Sequence, residues 1–381
     1  MQIIWDGKAV YAEEAQTATL LLKGHYGENR KGAVFLMPEE ALYLVDVRGA
    51  LCTDPGGNPL TFNRLASGLG GKKLMARYLA YKDWRDRGLF IRPESEARGQ
   101  YGKAVVRNYG RGTLPLYVPS LEGVFFEDAL ISTLDNYDAG KELYEKYWFG
   151  QLGTYKAPHR GAIAKLDALE TLFLMDRGKL SLLNSSRKKA YAAASKRIGY
   201  FADLYKVYSD WREGGYVVKS GFKFGTHFRI YLPGAGPLKG GEWVHSRHVL
   251  HVFPRKCKML ISEWARAIRV AHSVKKTFIL AIPGKGKSKK GRVDFALYHR
   301  KGLAVETPKE DDPSYLMLAL SEDEYLSGEE LASALKASEE RGLDLLLGIA
   351  DRETSVTYYL IRRIKLPGSE YEYYEIEWMQ P

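Results

Sequence analysis

Apolar and polar positions in the N-terminal part of the chain follow one pattern twice. Residues 78–88 and 205–215 carry Tyr, Tyr, Asp, Trp, Arg and Gly in the same register, at a constant offset (205 − 78 = 127). An apolar, strand-like run follows each copy, at 89–91 and 216–218. Upstream, an Arg-Gly pair follows an apolar helical stripe in both copies. Each copy therefore predicts a helix, a glycine stop, a short strand, a long helix, a second glycine stop and a strand.

A second repeat occupies the C-terminal part of the chain. Residues 249–282 and 316–349 both have the pattern of strand, helix and strand, and apolar runs at 293–298 and 356–361 are predicted as their return strands. Two staggered repeats predict three related units: a first unit at 1–146 that holds mostly an N-terminal half, a complete unit at 147–304, and a C-terminal half-unit at 305–381. The fold class is α/β (α+β), with small mixed sheets packed by helices.

Three segments have the composition of connections. Residues 92–113 are polar and glycine-rich, which predicts a long loop or a remnant of the missing half-unit. Residues 283–291 form a basic, glycine-rich stretch, and residues 307–313 form a charged linker bounded by prolines.

Charge narrows the class of partner. The 381-residue chain has a formal net charge of +11, which favours a polyanion such as nucleic acid. No apolar run approaches the roughly 18–20 residues that a spanning helix needs, and the alternating start at Met1–Tyr11 does not resemble a signal peptide. Cys52 and Cys257 match no metal-binding spacing. We therefore expect a cytoplasmic protein without a membrane partner.

The middle unit contains residues suited to cutting RNA. A strand at 226–231 places His227, Arg229 and Tyr231 on one face, and His245 and Lys276 follow. Attack of a 2′-hydroxyl on the adjacent phosphorus needs a base, an acid and a cation, which tyrosine, histidine and lysine supply without a metal. Each residue alone is ordinary, since the chain has 26 tyrosines, and only the combination indicates catalysis.

The residues that carry this combination also resemble a known family. Segment 216–231, His245-Ser246 and segment 269–276 resemble the archaeal tRNA-splicing endonucleases, and His25-Tyr26-Gly27 with segment 40–45 resembles the N-terminal half of that family. The arrangement of units is most similar to the three-unit, homodimeric (epsilon-type) form. The resemblance implies Tyr231 as base, His245 as acid and Lys276 as transition-state stabiliser, without a cofactor or metal.

The resemblance also implies how RNA and a second copy bind. It assigns Arg269, and less directly Arg292, to a clamp on a bulged nucleotide. It implies that the acidic loop with Asp351 and Glu353 docks into a basic pocket of a catalytic unit. A basic insertion with Lys156 and Arg160 is a further predicted RNA contact.

The substrate that the resemblance implies is precursor tRNA, or other RNA folded as bulge-helix-bulge, cut to leave 2′,3′-cyclic phosphate and 5′-hydroxyl ends. The C-terminal halves are expected to be restriction-endonuclease-like. The third unit is expected to be non-catalytic, because Leu343 stands at the position of Lys276 (276 + 67 = 343) and no matching tyrosine or histidine precedes it.

Three other classes remain open at this point. Asp294, Glu306 and Lys309 loosely resemble the carboxylates and lysine of a metal-dependent nuclease, although Pro308 would interrupt a central strand. His245, His248 and His251 cluster, but on a strand His248 points away from the other two, which argues against zinc. A non-catalytic RNA-binding or assembly subunit would have the same fold and charge.

Overall fold

The computed structural model describes residues 1–284 and 291–381. The predicted basic stretch at 283–291 therefore lies mostly outside the described residues. No helix in the described residues is long and apolar enough to cross a membrane.

The first part of the chain, to residue 108, alternates short strands with helices. Its elements are β1 (Gln2–Trp5), β2 (Val10–Ala12), α1 (Ala15–Lys23), β3 (Glu28–Arg30), β4 (Ala33–Leu36), α2 (Pro38–Asp46), β5 (Leu51–Thr53), β6 (Pro59–Leu60), α3 (Phe62–Leu69), α4 (Leu74–Asp86), β7 (Phe90–Pro93) and β8 (Arg107–Asn108), with a 3-10 turn at Glu94–Glu96.

The middle part repeats this order and then adds a strand-helix-strand segment. Its elements are β9 (Leu121–Phe126), β10 (Ile131–Leu134), α5 (Tyr137–Tyr147), β11 (Gln151–Leu152), β12 (Ala164–Asp167), α6 (Ala168–Asp176), β13 (Leu180–Leu182), α7 (Arg187–Arg197), α8 (Phe201–Glu213), β14 (Val217–Ser220), a 3-10 turn at Phe222–Phe224, β15 (Phe228–Tyr231), β16 (Leu238–Lys239), β17 (Glu242–Trp243), β18 (His248–Val252), β19 (Lys258–Leu260), α9 (Ile261–Ser273) and β20 (Thr277–Ile282).

The last part is built mainly of strands. Its elements are β21 (Phe295–Tyr298), β22 (Arg300–Lys301), β23 (Ala304–Val305), β24 (Tyr315–Ser321), β25 (Tyr325–Ser327), α10 (Gly328–Glu340), β26 (Asp344–Ala350), β27 (Val356–Lys365) and β28 (Glu372–Met379).

The predicted first repeat is confirmed. Helices α2 and α6 end before Gly49 and Gly178, which have φ angles of +63° and +62°. Helices α4 and α8 end before Gly88 and Gly215, at +77° and +83°. Glycine adopts this left-handed conformation without a steric penalty, so it ends each helix and redirects the chain into a strand.

One large sheet runs through the whole molecule. Its order is β14-β15-β18-β20-β28-β27-β26-β24-β21-β7, and β8 pairs with β27 off this path. From either end the pairings are antiparallel, antiparallel, parallel and antiparallel, and they meet at the antiparallel β27–β28 pair. The C-terminal halves therefore share one sheet with pseudo-twofold symmetry, whereas each N-terminal half has a sheet of its own, of six and five strands.

This symmetry divides the molecule into two lobes. The first lobe contains β1–β7 with β21–β27 and α10, and the second lobe contains β9–β20 with β28. Each lobe has its own core cluster. A third cluster packs α9 and α10 against the other face of the shared sheet and joins the lobes. On β20, Phe278 and Leu280 belong to this shared cluster and Ile279 to the second lobe, so both faces of the strand are buried.

The prediction of a return strand at 293–298 was wrong. Strand β21 does not pair with β20; it pairs with β7 and β24 in the first lobe. The C-terminal strand β28 instead covers β20 over five residue pairs. An apolar strand can pair with any unpaired sheet edge. The order of strands along the chain therefore does not determine which strands pair. The predicted boundary at residue 304 thus falls after a strand that belongs with the third unit.

The second repeat extends further than the sequence pattern indicated. The offset between Lys276 and Leu343 (343 − 276 = 67) also relates β21 to β15 (295 − 228 = 67), and it places Tyr298 at the position of Tyr231 (298 − 231 = 67). The statement that no matching tyrosine precedes Leu343 was therefore wrong. The first N-terminal half is not missing its partner, because β21, β24, β26 and β27 complete the first lobe.

Residues 94–106 are an ordered crossing between the lobes and not a remnant of a half-unit. The backbone N–H of Tyr101 donates to the carbonyl of Arg341, and those of Lys103 and Ala104 donate to the carbonyl of Gly342. Gly342 has φ +65°, and a Cβ there would lie 2.6 Å from the backbone nitrogen of Gly102. The crossing therefore needs glycine at position 342 for two reasons.

Two alanine substitutions separate these reasons. Gly302 also has a left-handed φ, +66°, but nothing lies within 4 Å of a Cβ there. We expect Gly302→Ala to destabilise the protein by about 1 kcal/mol from backbone strain alone. Gly342→Ala should cost clearly more, because the crossing must move as well. Thermal unfolding of both variants measures the difference, and equal melting temperatures would contradict the close packing.

Candidate active site

A cleft of about 1040 Å³ opens in the second lobe between its N-terminal half and the shared sheet. Tyr231, His245 and Lys276, the three residues predicted to be catalytic, all line it. They come from the end of β15, from the segment before β18, and from the turn between α9 and β20. The tertiary structure thus brings together side chains from three separate segments of the chain.

Tyr231 forms the inner wall of the cleft. It is 3 % exposed, and its ring lies 4.5 Å from the ring of Trp148. Burial raises the pKa of its hydroxyl above the usual value, and the positive charge of Arg229 opposes this rise. Tyr231 is thus a weak acid in a dry setting, close to a cation that favours its ionised form.

His245 lies on the open side of the cleft. It is exposed, three residues before β18, and its neighbour Ser246 is buried. The preceding residue is fixed by a hydrogen bond from the Val244 N–H to the carbonyl of Pro237. An exposed imidazole on an anchored backbone is accessible to an RNA substrate.

Lys276 is positioned by an unusual turn. Lys275 has φ +54°, the left-handed conformation that glycine usually adopts, and the N–H of Lys276 donates to the carbonyl of Ala271. The Lys276 ammonium donates to the carbonyl of Ser246 over 2.5 Å, which places it beside the residue that follows His245. Burial, and then the charge of Arg229, lower the pKa of Lys276.

A buried ion pair fixes the wall that carries Trp148. The Lys219 ammonium lies 2.6 Å from Glu170 and donates to the carbonyls of Trp148 and Gly150. The Gly150 N–H donates to the same carboxylate. Trp148 has φ +48°, so these contacts hold a left-handed turn that aims its ring at Tyr231. Glu40 and Arg92 form the equivalent pair in the first lobe.

The other predicted RNA contacts are dispersed. Lys156 lines the cleft, whereas Arg160, on the same loop, does not. Arg269 is exposed on α9 outside the cleft. Arg292 lies before β21 and binds the Asp294 carboxylate through two nitrogens, at 2.8 and 3.0 Å. Arg269 and Arg292 therefore do not contribute to the cleft of their own chain.

The acidic loop between β26 and β27 is ordered and solvent-facing. Asp351 accepts hydrogen bonds from the backbone N–H groups of Glu353 and Ser355, and Arg352 pairs with Asp323 at 2.8 Å. Glu353 is exposed and, within residues 1–284 and 291–381, has no ion-pair partner. Its carboxylate is the one that the loop presents outward.

The residues that suggested a metal-dependent nuclease or a zinc site make other contacts. Asp294 accepts from the backbone N–H of Ala319 and binds arginines, and Glu306 accepts from the His299 N–H and the Ser314 hydroxyl. His251 lies outside the cleft, 4.4 Å from the ring of His227. In the described part of the chain, no group of three or more histidine, cysteine, aspartate or glutamate side chains is arranged to hold a metal ion.

The first lobe provides an internal comparison for the cleft. The repeat offset (298 − 231 = 67) places Tyr298, Asp312 and Leu343 at the positions of Tyr231, His245 and Lys276. The crossing segment occupies this region, where the Lys103 ammonium donates to the carbonyl of Asp312. The first lobe has therefore kept the tyrosine and replaced the histidine and the lysine.

Trp148, Lys275 and Arg229 are among the cleft residues to which the sequence analysis gave no role. Trp148 carries no local signal, because only folding brings it to Tyr231. Lys275 is one of several lysines, and its left-handed backbone is not readable from sequence. Arg229 was placed on the face of Tyr231 but given no role, although this shared face was the signal that could have identified it.

Comparisons with known proteins follow this division. The family model described as "tRNA intron endonuclease, catalytic C-terminal domain" matches residues 201–293, and "tRNA intron endonuclease, N-terminal domain" matches residues 1–66 and 121–192. The first match ends before β21, in agreement with the strand pairing. Fold and matches together define an enzyme that cleaves RNA.

Individual relatives identify the family. A tRNA-splicing endonuclease of Hyperthermus butylicus is 36% identical over 39% of this chain and 82% of its own length. One of Thermococcus kodakarensis is 34% identical over 41% and 85%. One of Methanosarcina mazei is 24% identical over 72% of this chain and 93% of its own length. The chain belongs to the tRNA-splicing endonuclease family.

Removing the buried charge of Glu170 tests how the Trp148 wall is held. We expect Glu170→Gln to destabilise the protein by about 3 kcal/mol, since it removes the carboxylate that the Lys219 ammonium contacts directly in a largely buried site. Glu213→Gln is the control, because Glu213 pairs with Arg177 in an exposed bridge that should contribute less than about 1 kcal/mol. Thermal unfolding compares the two, and equal losses would contradict the importance of burial.

Proposed function

We propose that this enzyme cuts precursor tRNA at intron boundaries folded as bulge-helix-bulge, by a reaction that needs no metal ion. The observation that supports this most is the convergence of Tyr231, His245 and Lys276 on one cleft in the lobe that matches the catalytic domain. Recognition of this kind depends on RNA shape and splayed nucleotides more than on base sequence.

The reaction is an intramolecular transesterification at one phosphate of the RNA. Tyr231 takes the proton of the 2′-hydroxyl, and the 2′-oxygen attacks the adjacent phosphorus. The bond to the 5′-oxygen breaks, and His245 gives that oxygen its proton. The products are a 2′,3′-cyclic phosphate and a 5′-hydroxyl. Lys276 stabilises the additional negative charge on the phosphorane.

His245 is a better candidate for the acid than its neighbours. His248 also lines the cleft, but burial and the charges of Arg247 and Lys276 lower its pKa to about 4. Burial lowers the pKa of His251 to about 3. Both rings are therefore neutral at neutral pH, and a neutral imidazole is a poor proton donor. His245 is exposed and does not share their burial.

The charge of the cleft also favours an anionic substrate. Burial and the charge of Arg229 lower the pKa of Lys276, so its ammonium lacks a compensating negative charge in the free enzyme. A phosphate bound there supplies it. Lys156 on the cleft wall and Arg160 on the same loop are proposed to bind flanking phosphates, and the affinity should fall steeply with salt.

The active enzyme is proposed to be a homodimer. Arg269 and Arg292 lie outside the cleft of their own chain. A clamp built from them must therefore bind RNA beyond that cleft, or bind RNA that occupies the cleft of a second copy. The acidic loop with Asp351 and Glu353 is proposed to dock into a basic pocket of a catalytic unit. The three-unit division remains part of this proposal, with the third unit extended to include β21.

Cleavage in EDTA tests the reaction and its residues. We expect the wild-type enzyme to cut a bulge-helix-bulge RNA in EDTA and to leave cyclic-phosphate ends. Tyr231→Phe, His245→Ala and Lys276→Leu should each lower the rate by about 10²–10⁴-fold. The last change copies the residue of the first lobe. His248→Asn is the matched control. It should lower the rate far less, because the His248 ring is already neutral.

The other outcomes separate the rival classes. Activity retained in His245→Ala would transfer the acid role to His248 or His251. Cleavage only after addition of Mg²⁺ would revive the metal-dependent mechanism. Tight binding of RNA without cleavage under either condition would indicate a non-catalytic RNA-binding subunit.

Changing the acidic loop tests assembly. We expect Asp351→Ala/Glu353→Ala to shift the protein from dimer to monomer in sedimentation experiments and to lower cleavage by about tenfold or more. Because Asp351 also holds the loop backbone, Glu353→Ala alone should show most of the effect without disturbing the loop. Glu13→Ala, an exposed acid elsewhere, is the control. Intact dimers with full activity in the double variant would exclude docking by this loop.

A further inference from the structure

Arg229 lines the cleft but has no role in the reaction proposed above. It lies two residues before Tyr231 on β15 and faces the same cleft. The carbon atom of its guanidinium is 5.9 Å from the centre of the Tyr231 ring. Its Nε donates to the carbonyl of Ser220 over 2.7 Å, which anchors the group at the mouth of the β14–β15 turn.

The surroundings of Arg229 add cost rather than stability. Its cross-strand neighbour on β14 is Lys219, another cation, whose own charge is paired with Glu170 and which offers Arg229 no counter-charge. The charge of Arg229 also lowers the pKa of Lys276. Within residues 1–284 and 291–381, no carboxylate lies within ion-pair distance of its guanidinium.

The first lobe shows what this strand looks like without catalysis. The position of Arg229 is occupied there by Ala296 (229 + 67 = 296), which is fully buried. The strand, its pairing and the tyrosine persist, so the fold does not require arginine. Tyr298 faces the carboxylates of Glu96 and Asp312, and burial and these charges raise its pKa to about 12. The charge of Arg92 opposes this rise, so Tyr298 has two carboxylates and one cation near it, whereas the charge that acts most on Tyr231 is that of Arg229.

We propose that Arg229 is the positioning residue of the base. Its guanidinium, anchored on Ser220, holds the side chain of Tyr231 and provides the positive charge that the phenolic oxygen faces while it exchanges a proton with the RNA. The inference rests on the proposed function for the role of Tyr231. It adds a fourth residue, which acts through Tyr231 and not on the scissile phosphate.

A double-mutant cycle tests whether Arg229 acts through Tyr231. The single-turnover rate is measured at saturating protein in EDTA for Arg229→Gln, Tyr231→Phe and the double variant. We expect Arg229→Gln to slow cleavage about 10–100-fold while the Kd for RNA changes less than about 3-fold, and the double variant to match Tyr231→Phe. Arg229→Lys should recover part of the rate, since it keeps the charge.

The control is Lys275→Gln, which removes another cleft cation on a different segment. Its effect should add to that of Tyr231→Phe, because Lys275 does not face the phenol. If the effect of Arg229→Gln also adds fully to that of Tyr231→Phe, or appears only in the Kd, Arg229 contacts RNA directly and the inference is overturned.

A titration that needs no activity separates this inference from the proposed reaction. In full-length protein labelled with ¹³C at the tyrosine Cζ, the signal missing in Tyr231→Phe reports the pKa of Tyr231. The titratable and charged groups that act on Tyr231 are Arg229 on its own strand and Tyr155 on the loop opposite, and His245 and Lys276 line the same cleft. We expect the pKa to rise by about one pH unit in Arg229→Gln and to return in Arg229→Lys.

The combined outcomes are distinguishable. An unchanged pKa in Arg229→Gln would overturn the inference even if the wild-type enzyme cleaves RNA as proposed. A raised pKa in a protein that does not cleave RNA would sink the proposed reaction and leave the Arg229–Tyr231 contact in place. Thermal unfolding accompanies both experiments, and a variant with a lowered melting temperature is judged from Arg229→Lys instead.

Discussion

The buried ion pair between Glu170 and Lys219 is the contact on which the cleft depends. Glu170 belongs to the N-terminal half of the second lobe and Lys219 to the first strand of the shared sheet. The pair joins the halves and satisfies the carbonyls of a left-handed turn, so that Trp148 packs on Tyr231. A charge buried this deeply is tolerable only with its partner, which makes the joint specific to one geometry.

The first lobe repeats the joint with a different cation. Arg92 binds Glu40 and donates to the carbonyls of His25 and Gly27, as Lys219 does at Trp148 and Gly150. The turn residue His25 is again left-handed, at φ +57°. Because this arrangement persists where the catalytic residues do not, it belongs to the architecture. At the aligned positions of the cleft, arginine, histidine and lysine give way to alanine, aspartate and leucine.

The shared sheet explains how one chain carries two such lobes. The β27–β28 pair lies on the pseudo-twofold axis, and β28 completes the second lobe although it comes last in the chain. Neither lobe completes its sheet from residues that are continuous in sequence. The first lobe needs strands that follow residue 291, and the second lobe needs β28 at residues 372–379. Proteolytic separation of the lobes would therefore expose unpaired strand edges.

Short-range patterns were enough to define the local elements, the glycine stops and the two repeats, because periodicity and glycine act over a few residues. Short motifs also identified Tyr231, His245 and Lys276 as candidates, through a family resemblance. Which strand closes which sheet was settled only by tertiary packing: β21 and β28 are both apolar strands, and partner choice depends on the whole surface that they bury. Packing also brought Trp148 to Tyr231, since a contact between segments 83 residues apart (231 − 148 = 83) forms only when the two halves of the second lobe have assembled.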